Sequence, residues 1–223
     1  MLFEYADPSR VEGESLVFGF KHMLKTLWQC TFPLIKLNLA FLLFCLPVIT
    51  IPAAVTSLYA GCVDIIRGER VSVFRLYLKT IRTRFFSSWA VLFLLFVPCI
   101  WSILNAWFYF SNVSGQVLWL LPGLGMSTFA VILFLMLPYA VTMTARVDLR
   151  IPQILKNAFL LTFLNLAFSV CGSLLILLIL VMSILYWLYA IPLTLLLTFA
   201  LCGYINVYFS LYGLQKYVLT EEL

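Results

Sequence analysis

Residues Asn38–Arg84 read NLAFLLFCLPVITIPAAVTSLYAGCVDIIRGERVSVFRLYLKTIRTR, and this stretch decides the fold. An apolar run reaches a double-proline corner, Leu46-Pro47-Val48-Ile49-Thr50-Ile51-Pro52. A second apolar run ends in the charged turn Arg67-Gly68-Glu69-Arg70, and a basic amphipathic segment follows. Proline inside a helix removes a backbone donor and crowds the preceding turn, so two of them five residues apart call for a bend or a tight turn. Pro47, Thr50 and Pro52 are therefore the candidate structural corner of a helical hairpin over residues 28–66.

Outward from the corner the chain is more of the same. Hydrophobic residues make up 64% of the 223, and charged residues only 10%. A soluble domain carries about 25% charged residues, so the apolar excess has to face lipid. At about 20 residues per span, the chain has room for five or six helices in a single membrane domain. The fold class is thus an all-α polytopic membrane protein with amphipathic interfacial helices. The first twenty residues hold Glu4, Asp7, Arg10, Glu12 and Glu14 without a basic-then-apolar pattern, so no cleavable leader is expected.

The first span is expected from Trp28 to Leu46, after a polar tail and an interfacial helix over residues 13–27. Pro47–Pro52 either kinks one span or turns between two, and counting cations weighs the two readings. With six spans, Arg10, Lys21 and Lys25 share the cytoplasmic side with Arg67, Arg70, Arg75, Lys79, Arg82, Arg84, Arg146, Arg150, Lys156 and Lys216. With five, the N-terminal cations fall outside. The positive-inside rule favours six, with both termini cytoplasmic in a cell membrane. The remaining spans are Ser88–Phe110, Val117–Met143, Ala158–Leu180 and Ile191–Leu211. The connection Ser111–Gln116 and the link Tyr186–Pro192 face outside.

Between spans two and three, Phe74, Tyr77, Leu78, Ile81, Phe85 and Trp89 recur at three- and four-residue steps, with Arg75, Lys79 and Arg82 opposite. That spacing predicts a basic amphipathic helix over 71–88 in the headgroup plane. It reads as a positive-inside anchor or as a docking surface for a partner. Arg146 and Arg150, in the second cytoplasmic connection Thr144–Asn157, belong either to a plain connector or to a segment that makes coupling contacts with a partner.

Little else carries chemistry. His22 is the only histidine, the six cysteines are scattered singly, and no nucleophile, metal-ligand or phosphate-loop motif occurs. No enzyme, cofactor, metal site or nucleic-acid partner is expected. Three kinds of intramembrane polar residue remain. Lys36 either snorkels to the interface or faces a polar path. Asp64 has Arg67 one turn away and either forms an ion pair with it or relays protons or ions. Asn38 and Asn165, with Asn105 and Asn206, either hydrogen-bond between helices or line a path.

Asn38-Leu39, Leu46-Pro47-Val48-Ile49-Thr50-Ile51 with a proline just after it, Ala54, Leu58-Tyr59, Arg67-Gly68-Glu69 and Val73-Phe74 followed by a basic-aromatic helix resemble the YesL-like family. These are bacterial membrane proteins classed under a domain of unknown function. One departure is local: the family has a glycine before the proline, and here Ile51 runs straight into Pro52. The resemblance implies an integral membrane protein encoded with carbohydrate ABC-type importers, and it names no ligand or catalytic residues. It leads to the expectation of an accessory subunit on importer permease subunits. The alternative is an autonomous small-solute transporter or channel, as a homo-oligomer.

Overall fold

The computed structural model describes residues 20–69, 72–112, 119–147, 149–186 and 194–217, and every regular element among them is helical. The expected tail at the N-terminus, the Asn112–Gln116 stretch beyond its first residue, most of the Tyr186–Pro192 link and the last six residues lie outside the described residues.

Helix α1 (Phe20–Gln29) meets α2 (Thr31–Cys45) at a bend of 74° centred on Cys30. Pro33 falls in the first turn of α2, where the backbone donor it lacks would have no intrahelical partner. At the double-proline corner, Pro47 is extended and Val48–Thr50 make one 3-10 turn. The Thr50 hydroxyl donates to the carbonyl of Pro47 at 2.7 Å and to that of Phe44, an acceptor that the end of α2 leaves open. Pro52 sits in the first turn of α3 (Ile51–Ile66). Two prolines and one threonine thus convert a run of apolar residues into a helical hairpin.

Helix α3 is the most enclosed element. Between Pro52 and Ile66 every residue except Val55 is buried. It ends at Gly68, whose φ of +73° lies in the left-handed region that glycine adopts without a Cβ penalty. The next helix, α4, runs unbroken from Val73 to Ser111, 39 residues, about 58 Å at 1.5 Å per residue. This corrects the expected division into an in-plane helix over 71–88 and a separate span from Ser88. The change from basic-amphipathic to fully apolar sequence is a change of surroundings, and Thr83–Ser88 contains no residue that stops a helix.

Helix α5 (Leu120–Arg146) returns alongside α4. The expected span Ala158–Leu180 is in fact two helices, α6 (Ile151–Leu164) and α7 (Leu166–Leu185), parted at Asn165. A π turn at Thr194–Thr198 leads into α8 (Phe199–Tyr217). Among the described residues, five helices are long and apolar enough to cross a membrane, and a sixth is counted if the bent α1–α2 pair is one span. Two apolar cores hold them together. One gathers α2, α3 and α8 around Leu37, Leu58, Val63, Tyr77 and Tyr204; the other joins α4, α5 and α6 around Val91, Leu95, Met143, Ile154 and Leu161. Helix α5 serves both, giving Val141 and Ala145 to the first and Ala140 and Met143 to the second.

Candidate functional site

The charged residues of the interior meet where α3, α4 and α5 come together. Asp64, near the end of α3, is ion-paired with Arg146, the last residue of α5. The same guanidinium donates to the carbonyl of Ala60 at 2.9 Å. The Arg84 guanidinium on α4 donates to the carbonyls of Thr144 at 2.6 Å and Val147 at 3.0 Å. Those carbonyls belong to the end of α5, where backbone acceptors lack helical partners and the helix dipole is negative. One arginine therefore caps α5 and the other ties α5 to α3. The expected partner of Asp64, Arg67, instead ends α3 as its cap residue. Arg146, expected as a docking residue, is correspondingly committed to the interior. Arg150 is exposed, and its backbone N–H donates to the Gln153 side chain at 2.9 Å to begin α6.

The span asparagines bind other helices. Asn38 is fully buried on α2, and its side-chain oxygen accepts from the backbone N–H of Ala200 at 2.8 Å. The π turn before α8 disturbs the regular ladder there, and Asn38 supplies an acceptor from another element. Asn165, at the α6–α7 break, donates to the Tyr139 hydroxyl at 3.1 Å, and Tyr139 and Ser169 hydroxyls share a 2.8 Å hydrogen bond. Gly213 lets α8 approach this trio: a Cβ there would stand 3.0 Å from the Asn165 amide nitrogen. Asn206 donates to the Tyr59 hydroxyl at 2.9 Å. The Asn105 amide donates to Trp101 within α4. Asn157 and Ser88 are buried, and their Oδ1 and Oγ atoms have no partner among the described residues.

Lys36 points outward. It is exposed on α2, with its ammonium 4.5 Å from the centre of the Phe32 ring, a cation–π distance. Arg75, Lys79 and Arg82 are likewise exposed on α4, interleaved with exposed Phe74, Leu78 and Phe86. Behind them Tyr77, Thr80 and Ser88 are buried, so the first half of α4 presents a basic-aromatic stripe on a fixed support. Among the described residues no three His, Cys, Asp or Glu side chains gather as a metal site would require, and all six cysteines are free thiols.

Sequence reasoning found Asn38, Asp64 and Asn165 by their polarity in apolar surroundings. It missed the partners Ala200, Arg146, Tyr139 and Ser169, and it missed the capping role of Arg84. Only the i,i+3 and i,i+4 neighbours of a residue can be read from spacing.

These elements define an all-helical polytopic membrane protein with an internal charge pair and an exposed basic stripe. Residues 34–106 match the model of a family described as a protein of unknown function, DUF624. The matched stretch, about a third of the chain, includes the corner, all of α3, the basic stripe and most of α4. No curated protein and no solved structure matches the chain.

Proposed function

We propose that this protein is an accessory membrane subunit that docks, through the stripe Arg75, Lys79 and Arg82 with Phe74, Leu78 and Phe86, onto a carbohydrate ABC-type importer or a related membrane complex. The observation that carries the reading is the stripe itself. Three cations and three large apolar side chains are exposed together on a helix whose opposite face is buried. Aromatic residues interleaved with cations suit interfaces, where a few large side chains supply most of the affinity and charge complementarity sets the partner. The carbohydrate importer enters from the YesL-like resemblance, which associates such chains with those systems. The rival, an autonomous transporter, needs Lys36, Asp64 and the asparagines on a shared path. Lys36 lies at the periphery, Asp64 is engaged by Arg146, and Asn38 and Asn165 are engaged by Ala200 and Tyr139, which lends that reading no support.

The test is co-purification. The chain, tagged at its C-terminus, is extracted from native membranes in mild detergent and its companions are identified by mass spectrometry. Stoichiometric importer permease subunits are expected, and the Arg75→Glu/Lys79→Glu/Arg82→Glu protein, expressed at the same level, should lose them. A self-associated species without companions, together with solute flux in liposomes holding this protein alone, would replace the proposal with the transporter.

A further inference from the structure

We infer that the hairpin of α2 and α3 does not cross the bilayer. It enters from the basic side, turns at Leu46–Thr50 inside the hydrocarbon of that leaflet, and returns to the same side, so that the partner of its tip is the acyl chains of one leaflet. This inference is independent of what docks on the stripe.

The first observation fixes the depth of the tip. The Trp89 indole N–H donates to the carbonyl of Ile49 at 2.9 Å, pinning the corner to that point on α4. Arg75, Lys79 and Arg82 are exposed on α4, and exposed cations lie outside the hydrocarbon or at its edge. From Arg82 to Trp89 is about 10 Å along the helix, whereas from Trp89 to Ser111 is about 33 Å. The hydrocarbon core is about 30 Å thick. Counted from Arg82, about 20 residues cross it and reach the level of Trp101, so the corner at Trp89 stands about 10 Å inside the hydrocarbon of the Arg82-side leaflet.

The second observation fixes the base of the hairpin. The Tyr77 hydroxyl donates to the carbonyl of Leu37 at 3.2 Å, and a Cβ on Gly61 would lie 3.2 Å from Leu76. The middle of α2 and the second half of α3 are therefore level with residues 76–77 of α4, in the layer of Arg75 and Lys79. Lys36, next to Leu37, is exposed in that layer and is one of its cations rather than a charge deep in a span.

The third observation is the chemistry of the tip. Leu46, Val48 and Ile49 are 77%, 74% and 62% exposed. A crossing hairpin would hold these side chains in the headgroup layer or water on the far side. A re-entrant one immerses them in hydrocarbon, where apolar surface belongs. Backbone that turns within a membrane is tolerated where protein covers its polar groups, and here the Thr50 hydroxyl and the Trp89 indole cover the carbonyls of Phe44, Pro47 and Ile49. The cation count leaves this open: a hairpin that crosses twice and one that never crosses place the same lysines and arginines on the same side.

The experiment uses the full chain with its six cysteines replaced, carrying Val48→Cys, Leu46→Cys, Ser72→Cys or Ser114→Cys, in oriented proteoliposomes of mixed neutral and anionic phospholipid. A membrane-impermeant maleimide is applied from either side, and an environment-sensitive fluorophore at 46 or 48 is quenched by lipids spin-labelled at known acyl-chain depths in one leaflet. Ser72→Cys and Ser114→Cys should label from opposite sides. The inference expects no labelling of position 48 from the Ser114 side and the strongest quenching by labels in the Ser72-side leaflet. Labelling of 48 from the Ser114 side, or strongest quenching from that leaflet, would overturn it. Leu46→Cys repeats both readouts should Val48→Cys fail to fold.

Discussion

Arg146, the last residue of α5, is ion-paired with Asp64 near the end of α3, and their side chains retain 29% and 12% of their exposure. The pair is the one salt bridge among the described residues, and it joins the two helices that between them serve both apolar cores. Removing one partner leaves a desolvated charge, a loss of about 3 kcal/mol. Asp64→Asn and Arg146→Gln should each lower the thermal unfolding midpoint in detergent, followed by size-exclusion fluorescence. The double variant Asp64→Leu/Arg146→Met should lose less than either single one. Additive losses would show that the two side chains do not act together.

Two glycines in long helices should respond oppositely to alanine. At Gly213 a Cβ meets Asn165 at 3.0 Å and Tyr139 at 3.3 Å, inside the buried Asn165–Tyr139–Ser169 trio, whereas at Gly125 no atom lies within 4 Å. Gly213→Ala should destabilise by about 1–3 kcal/mol through overpacking. Gly125→Ala should be neutral or stabilise by up to about 1 kcal/mol, the helix-propensity difference. The same unfolding assay reads both, and equal shifts would contradict the packing described at Gly213.

Asn38 is distinguished by what it accepts. Asn38→Leu keeps the volume and loses the acceptor for the Ala200 N–H, which should cost about 0.6–2 kcal/mol. Hydrogen exchange should quicken at the start of α8 before it quickens elsewhere. Uniform acceleration across all helices would mean that the bond has no local role.

Asn157 offers a gain. Its side-chain oxygen is buried without a partner among the described residues, on a face of α6 with Ile154, Ala158 and Leu161. A buried polar atom without a partner costs about 1–3 kcal/mol, so Asn157→Leu should raise the unfolding midpoint. A lowered midpoint would reveal that the oxygen is satisfied in solution.

The parts of the fold legible in the sequence were those fixed by local chemistry. Two prolines around Thr50 imply a bend or a turn wherever they stand in an apolar run, and the Arg67-Gly68-Glu69 sequence ends a helix for reasons contained in its own residues. The continuity of α4 was hidden because the basic-amphipathic pattern of 73–88 and the apolar pattern of 89–111 look like separate elements. They are one helix passing between two environments. The break at Asn165 was hidden for the opposite reason. No glycine or proline marks it, and its support comes from Tyr139, Ser169 and Gly213 on three different helices. The choice of Arg146 over Arg67 for Asp64 depends on the packing of α3 against α5, which sequence spacing does not encode.

At its other end α4 is clasped to the start of α5 by the stacked rings of Tyr109 and Trp119, 5.8 Å apart, beside the exposed indoles of Trp101 and Trp107. Arg75 and Trp107 are carried by a single unbroken helix, about 48 Å apart at the helical rise. Such a rod, held near its middle by the corner through Trp89, is a ruler, and it fixes how far the basic stripe stands from the tryptophan end.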